Sequence, residues 1–322
     1  MERGDIIAFL GNDWTRTVEV MRASLSSDIP MLDALNESLF GNGGKCIRPL
    51  ISLLTARACG RLNDDSVRLA AASELLHNAT LFHDDVADES ATRRGRATLF
   101  ALMGPSPAVL VGDFWLARSV ELIISTKCKD EAVRLFALTL SHLAEGEMLQ
   151  LEKAAKADTT EEDYLRIVYS KTASLFETVC RTGALSSGAD KAMIEAAGRF
   201  GKAAGIAFQI RDDIFDYSPE LDTGKPSGAD LREGKITLPL LGAIRGSAEE
   251  KRIRALVADI PGNPEACAEV QAFVLEHGGI EYAASRLQDF IAEALDALEA
   301  FPPSEEREML AALARSNAYR TV

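Results

Sequence analysis

Two short runs of the chain, Asp84-Asp85-Val86-Ala87-Asp88 and Asp212-Asp213-Ile214-Phe215-Asp216, repeat the pattern D-D-x-x-D in widely separated places. On a helix the first and fifth positions lie on one face, a turn apart, so Asp84 faces Asp88 and Asp212 faces Asp216. Like charges at that spacing repel by a few tenths of a kcal/mol, and Asp is a poor helix former. Each run also follows an apolar helical stretch, so something must offset the arrangement. Mg²⁺ does, because it takes one or two carboxylates and completes its octahedron with waters and substrate phosphates. An N-cap or a solvated face accounts for one such pair far better than for two. An EF-hand fails: counted from Asp84, the third loop position is Val86 and the sixth is Glu89, where Gly is needed. The spacing points to a metal–diphosphate site.

Such a site in this chain needs placed cations, because 49 acidic residues outnumber 35 basic ones. Gly43-Gly44-Lys45-Cys46-Ile47-Arg48-Pro49 supplies Lys45 and Arg48 beside a Gly pair whose backbone N–H groups can approach a phosphate. Arg93-Arg94 follow Asp88, and Lys171-Thr172, Lys225 and Lys235 add three lysines near helix ends or loops. Three of these segments carry Gly-Lys, yet none is a P-loop. Leu39, Pro219 and Ala229 stand where the first Gly of G-x-x-x-x-G-K-[ST] belongs, and no Ser or Thr follows Lys45, Lys225 or Lys235.

The elements that must position these groups are helices. Apolar residues recur at three- and four-residue spacing, as in Leu69, Ala72, Leu75, Leu76, Ala79 and Phe82, and strict alternation is rare. The periodicity predicts helices over about 2–25, 30–40, 47–59, 64–88, 105–126, 130–154, 160–186, 190–217, 236–245, 249–260, 264–276, 279–300 and 304–315. Gly and Pro fall mostly between them, and 218–234 reads as a mobile connection. No repeat or low-complexity linker interrupts the 322 residues, which read as one all-α domain over 1–322. A net charge of −14 argues against nucleic acid as a partner. No apolar run reaches the ~18–20 residues of a membrane span, and the first residues lack a secretory signal. Five widely spaced cysteines suit reduced thiols, so a cytoplasmic location is expected.

At this point the residues resemble a known family. G-G-K-x-x-R-P, the run from Asp84 through Arg93-Arg94, Lys171-Thr172, Phe208-Gln209-x-x-D-D-x-x-D and Gly234-Lys235-Ile236-Thr237-Leu238-Pro239 are similar to motifs of the trans-isoprenyl diphosphate synthases, or polyprenyl synthetases. They occur in that family's order over roughly residues 40–240, most like the long-chain octaprenyl-type synthases. The resemblance implies an all-α isoprenoid-synthase helical bundle around a central cavity, a homodimer, and Mg²⁺ as cofactor, three ions with substrate bound. It implies condensation of isopentenyl diphosphate with an allylic diphosphate. The product would be a long-chain all-trans polyprenyl diphosphate for quinone side chains, passed on to membrane enzymes.

The family's roles transfer position by position. Asp84, Asp88 and Asp212 resemble the Mg²⁺ ligands, supported by Asp85, Asp213 and Asp216. Arg93, Lys171, Lys235 and the loop lysine Lys225 resemble the cations around the allylic diphosphate. Lys45, Arg48, His77 and Arg94 resemble the isopentenyl diphosphate pocket, Thr172 and Gln209 resemble the polar groups beside the developing allylic cation, and Gln150 matches a further polar cavity position. His83 reads as structural. One departure is Cys46, where the family commonly has Arg. Four and five positions before Asp84 stand Thr80 and Ala79, where bulky aromatics in the family favour short products; Leu76 and Ser73 continue the same path. A class I terpene cyclase would carry a different second metal motif, and a regulatory synthase subunit would lack the aspartates. A farnesyl or geranylgeranyl diphosphate synthase is the nearer alternative.

Overall fold

Helices follow one another along almost the whole chain, each bounded by residues that start or stop one. The computed structural model describes residues 3–41, 44–93, 95–217, 228–260 and 263–316. In order these are α1 (Arg3–Leu10), α2 (Asn12–Ser24), α3 (Pro30–Gly41), α4 (Ile47–Cys59) and α5 (Asp64–Ala87). A two-stranded hairpin follows, β1 (Thr92–Arg93) and β2 (Arg96–Ala97), then α6 (Leu99–Met103), α7 (Pro105–Ile124), α8 (Lys129–Lys156) and α9 (Glu161–Val168). A π turn, Tyr169–Ala173, leads into α10 (Ser174–Ser186) and α11 (Lys191–Asp216). The rest comprises α12 (Ala229–Arg232), α13 (Leu238–Ile244), α14 (Glu250–Asp259), α15 (Pro264–Glu276), α16 (Gly279–Ala297) and α17 (Glu305–Ser316).

Close contacts group these helices into two units. One is Met1–Ala137 with Thr178–Gly198 and Leu298–Leu313; the other is Leu138–Glu177 with Arg199–Ala297 and Ala314–Val322. The centre of the first is α5. Asn63 opens it with a capping box, its side chain accepting from the Asp65 and Ser66 amides while Ser66 Oγ accepts from the Asn63 amide. Small residues let α5 approach α7 closely: Ala71 and Ala79 pack with Ala108, Val111 and Trp115, and Ser119 Oγ donates to the Ala72 carbonyl at 3.0 Å. The buried Trp115 indole donates to Asn36 Oδ1 at 2.9 Å, and Asn36 Nδ2 donates to the Leu25 carbonyl at 2.7 Å, so both polar groups are satisfied.

In the second unit α9, α11, α13, α15 and α16 share a core that includes Tyr164, Ala173, Ile210, Leu238, Val270 and Leu287. Thr160 and Asp163 form the capping box that starts α9. The π turn sits between two glycines. A Cβ on Gly146 of α8 would come within 2.6 Å of Ser170 Cβ, and one on Gly205 of α11 within 2.7 Å of Ala173 Cα. Only a residue without a side chain allows both helices to close on this turn.

Two expectations differ from the structure. The helix over 2–25 is two helices, because Gly11 adopts φ +53° between them. The helix over 160–186 contains the π turn, whereas the helix over 105–126 is present as α7, with the short, unexpected α6 before it. Most of the 218–234 connection lies outside the described residues; its end, from Gly228, leads into the short α12. Among the described residues no helix is long and apolar enough to cross a membrane.

Candidate active site

The first aspartate run ends α5. Asp88 is the C-cap residue, and its amide donates to the Asp84 carbonyl at 2.8 Å, so the two stand one turn apart as the spacing predicts. Asp84 is half-buried and Asp88 exposed, while Asp85 points inward and is only 4% exposed. A buried carboxylate requires a partner. Arg93 Nε on β1 donates to Asp85 Oδ1 at 2.7 Å, and the hairpin of Arg93 with Arg96 places it there. His83, next to Asp84, makes a 3.3 Å contact with Asp113 and lies against the Val109 carbonyl; Gly112 leaves room for its ring.

The second run ends α11 in the other unit. Asp212 is exposed and accepts from Arg211 Nη2 at 2.9 Å. Asp213 is 3% exposed and accepts from Tyr164 Oη at 2.6 Å and from Gln209 Nε2 at 2.8 Å. Burial pushes its carboxyl well above the ordinary range, the Asp230 charge adds to the rise, and the two hydrogen bonds oppose it. Both Asp216 oxygens accept backbone N–H groups, from Ala229 at 3.0 Å and Asp230 at 3.1 Å, which ties the start of α12 to the end of α11. Lys235 pairs with Glu233 and lies 3.8 Å from Asp230.

Lys171 and Thr172 both fall in the π turn. Such bulges recur at functional sites because they push side chains out of helical register. Lys171 Nζ meets Glu147 Oε2 at 2.5 Å and Gln150 Oε1 at 3.1 Å. Thr172 Oγ1 donates to Gln209 Oε1 at 2.8 Å. Thus Lys171, Gln150, Thr172, Gln209 and Asp213 come together within one unit. Sequence reasoning missed two members of this group, Glu147 and Tyr164. The signal for Glu147 was its position three residues before Gln150 on α8, one helical turn away.

In the first unit Lys45 is exposed, and its carbonyl accepts from Arg3 Nε at 2.7 Å; Arg48 and His77 are half-buried. Cys46 is the N-cap residue of α4, at φ +48°, and its thiol sits 3.6 Å from the Gly44 carbonyl. It also lines a cavity of about 210 Å³ with Leu75, Asn78 and Trp115. Ser73, Leu76 and Ala79 are fully buried, and Thr80 is half-buried with its hydroxyl donating to the His77 carbonyl. Ala79 belongs to the α5–α7 core cluster, whereas Ser73, Leu76 and Thr80 follow the face that carries Asp84. Gly43, Arg94 and Lys225 lie outside the described residues.

The donors at both helix ends are carboxylate oxygens, hard ligands of the kind Mg²⁺ takes and unlike the thiolate or imidazole sets of zinc. Among the described residues no three His, Cys, Asp or Glu side chains converge as a protein-only metal cage. A cation here would complete its shell with water and phosphate oxygens, as Mg²⁺ does. The residues therefore fit Mg²⁺ held jointly with a phosphate-bearing ligand.

Comparison with known proteins agrees with the motifs. The family model described as Polyprenyl synthetase matches residues 29–274. The octaprenyl diphosphate synthase of Haemophilus influenzae is 40% identical over 304 residues, covering 94% of this chain and 92% of that one. A decaprenyl diphosphate synthase from Rhodobacter capsulatus superposes with a TM-score of 0.92 at 34% identity, over 99% of both chains. A polyprenyl synthase from Caulobacter crescentus, complexed with calcium and isoprenyl diphosphate, gives 0.90 at 34% identity over 99% of this chain and 98% of that one. Its all-α fold is that of the isoprenyl diphosphate synthases, and the chain belongs to the polyprenyl synthetase family.

Proposed function

We propose that the protein is a Mg²⁺-dependent trans-polyprenyl diphosphate synthase that lengthens an allylic diphosphate with isopentenyl diphosphate to a long-chain, all-trans product. The observation that carries this reading is the pairing of two D-D-x-x-D helix ends with family membership over most of the chain. The octaprenyl and decaprenyl synthases among its relatives support the long product. The calcium and isoprenyl diphosphate of the Caulobacter structure support a divalent cation and an isoprenyl diphosphate as ligands.

When bound, Mg²⁺ supplies the positive charge that neutralises the departing diphosphate. Asp84, Asp88 and Asp212 would hold the ions, three with substrate bound, and Asp85, Asp213 and Asp216 would support them from the interior or from a helix start. Arg93, Lys171, Lys235 and Lys225 place further charge around the allylic diphosphate, where it stabilises charge developing as the C–O bond breaks. Lys45, Arg48, His77 and Arg94 hold isopentenyl diphosphate, and its double bond attacks the allylic carbon. Thr172 and Gln209, with Gln150 nearby, turn oxygen lone pairs toward the developing cation. A proton then leaves the new chain for the released diphosphate. Apolar walls keep water from trapping the cation, and small side chains at Ala79 and Thr80, followed by Leu76 and Ser73, leave the growing chain its path.

The chain is read as one domain, a reading supported by the family match running through segments of both units. A cytoplasmic homodimer that passes its product to membrane enzymes fits the family, and the exposed Leu102, Leu110 and Ile124 of α6 and α7 give the first unit an apolar surface for a second copy. The test is direct: incubation with Mg²⁺, labelled isopentenyl diphosphate and farnesyl diphosphate, followed by sizing of the products. Long-chain polyprenyl diphosphates are expected, and no Mg²⁺-dependent incorporation would overturn the reading.

A further inference from the structure

Tyr164 is 3% exposed in the core of its unit. A buried phenol is retained where its hydroxyl has a partner. Here that partner starts a continuous chain of hydrogen bonds. Tyr164 Oη donates to Asp213 Oδ2 at 2.6 Å, Gln209 Nε2 donates to Asp213 Oδ1 at 2.8 Å, and Thr172 Oγ1 donates to Gln209 Oε1 at 2.8 Å. We propose that Tyr164 is a positioning residue that, through Asp213 and Gln209, fixes the direction in which Thr172 presents its hydroxyl. The proposal rests on the role given above to Thr172 and Gln209.

The argument is one of polarity. A glutamine amide has one end that accepts and one that donates. Because the NH₂ end of Gln209 is engaged by Asp213, its oxygen faces Thr172, and the Thr172 hydroxyl must donate to it. The lone pairs of Thr172 are then left for a neighbouring positive charge. With the amide reversed, Thr172 would accept from NH₂ and turn its own proton outward, presenting the opposite dipole to an allylic cation. Preorganised dipoles of the right sign are where such stabilisation resides. The backbone cannot compensate, because Ala173 is fully buried against Gly205 and the π turn has no room to shift. The phenol holds the far oxygen of Asp213. Without it that oxygen is a buried acceptor lacking its donor, and the carboxylate is free to turn and release Gln209.

The test is a double-mutant cycle on the full-length protein with Mg²⁺ and both diphosphates. Tyr164→Phe should lower kcat roughly tenfold, less than the ~10²–10³ typical of losing a direct contact. The KM for each diphosphate and the dissociation constant for an unreactive allylic thiolodiphosphate should stay within about twofold. In a Thr172→Val background Tyr164→Phe should cost nothing further, whereas in Thr172→Ser, which keeps the hydroxyl, it should cost the full factor. Wild-type kcat in Tyr164→Phe, or equal losses in the Val and Ser backgrounds, would overturn the assignment. If Tyr164→Phe melts below the assay temperature, the same cycle is run below its melting midpoint, where the tenfold fall in kcat with unchanged analogue binding is expected and wild-type kcat overturns the proposal. A wild-type protein that makes no prenyl product would instead overturn the reading of function.

Discussion

Asp85 and Arg93 are joined at 2.7 Å, with the carboxylate buried inside the end of α5 and the guanidinium reaching it from the hairpin that follows. The second aspartate of the other run, Asp213, is likewise the buried one, held by Tyr164 and Gln209. In both runs, then, the second carboxylate is turned into the protein. Asp84 and Asp88 in one unit, and Asp212 in the other, are the more exposed members. A D-D-x-x-D run therefore divides its acids between one turned into the protein and others left nearer the surface.

The Asp85–Arg93 pair leads to the first prediction. Arg93→Ala leaves a buried carboxylate without its donor, at a cost of about 1–3 kcal/mol. It should lower the melting temperature as well as turnover. Arg93→Lys keeps the charge but not the planar fork, and should recover part of each. Thermal unfolding followed by circular dichroism, alongside turnover, checks both; an unchanged melting temperature in Arg93→Ala would mean the pair does not hold the hairpin.

Removal of an outward aspartate should separate catalysis from folding. Asp84→Ala and Asp212→Ala are each expected to cut turnover by at least about 10²-fold, because charge stabilisation of the leaving diphosphate is lost. Neither carboxylate is in the core, so helix content by circular dichroism should be retained. Raised Mg²⁺ should recover part of the loss in each variant. Near-normal turnover in both would remove the metal role from these residues.

Cys46 occupies a left-handed backbone position at the start of α4, between Lys45 and Arg48. That conformation costs any L-residue ~1–2 kcal/mol, so Cys46→Arg adds no new backbone penalty. A guanidinium there should preserve or lower the Michaelis constant for isopentenyl diphosphate, a charge-assisted contact being worth ~1.5–3 kcal/mol where well formed. Steady-state kinetics decides the matter: a clear rise in that constant with unchanged melting would show that the thiol itself matters, through its place on the cavity wall.

Much of this architecture is legible in the residues because helices announce themselves by period and by punctuation. Pro264 and Gly279 start α15 and α16 at the expected positions, and the Asn63 box starts α5. What stays hidden has a physical reason in each case. The π turn at Tyr169–Ala173 adds one residue to a helical ring without disturbing the apolar pattern on either side. The β1–β2 hairpin has two residues per strand, too few for any alternation to register. Tyr164 looks like one more apolar residue of α9, and only its 2.6 Å contact shows that its hydroxyl is used. The aspartates and lysines stand out by charge and spacing, and Thr172 and Gln209 enter only through the family resemblance; Tyr164 and Glu147, which contact them, carry no such signal.

The last prediction concerns product length. At a rise of ~1.5 Å per residue, Ser73 lies roughly 16 Å along α5 from Asp84, room for several isoprene units. Thr80, Leu76 and Ser73 follow the Asp84 face, and the half-buried Thr80 is the first side chain a growing product would meet. Thr80→Phe should therefore close the path and shift products toward farnesyl or geranylgeranyl length with little loss of stability. Ala79 is different, being fully buried among Leu75, Leu99, Ala108, Val111 and Trp115. Ala79→Phe should shorten products too, but by forcing α5 and α7 apart, at about 1–3 kcal/mol of overpacking and a lower melting temperature. Product sizing and thermal unfolding of both variants separate the effects. Octaprenyl-length product from the wild type, with short product from a stable Thr80→Phe, would place the path along the Asp84 face. Unchanged product from Thr80→Phe would move it elsewhere, and wild-type product already at farnesyl length would leave no path to close.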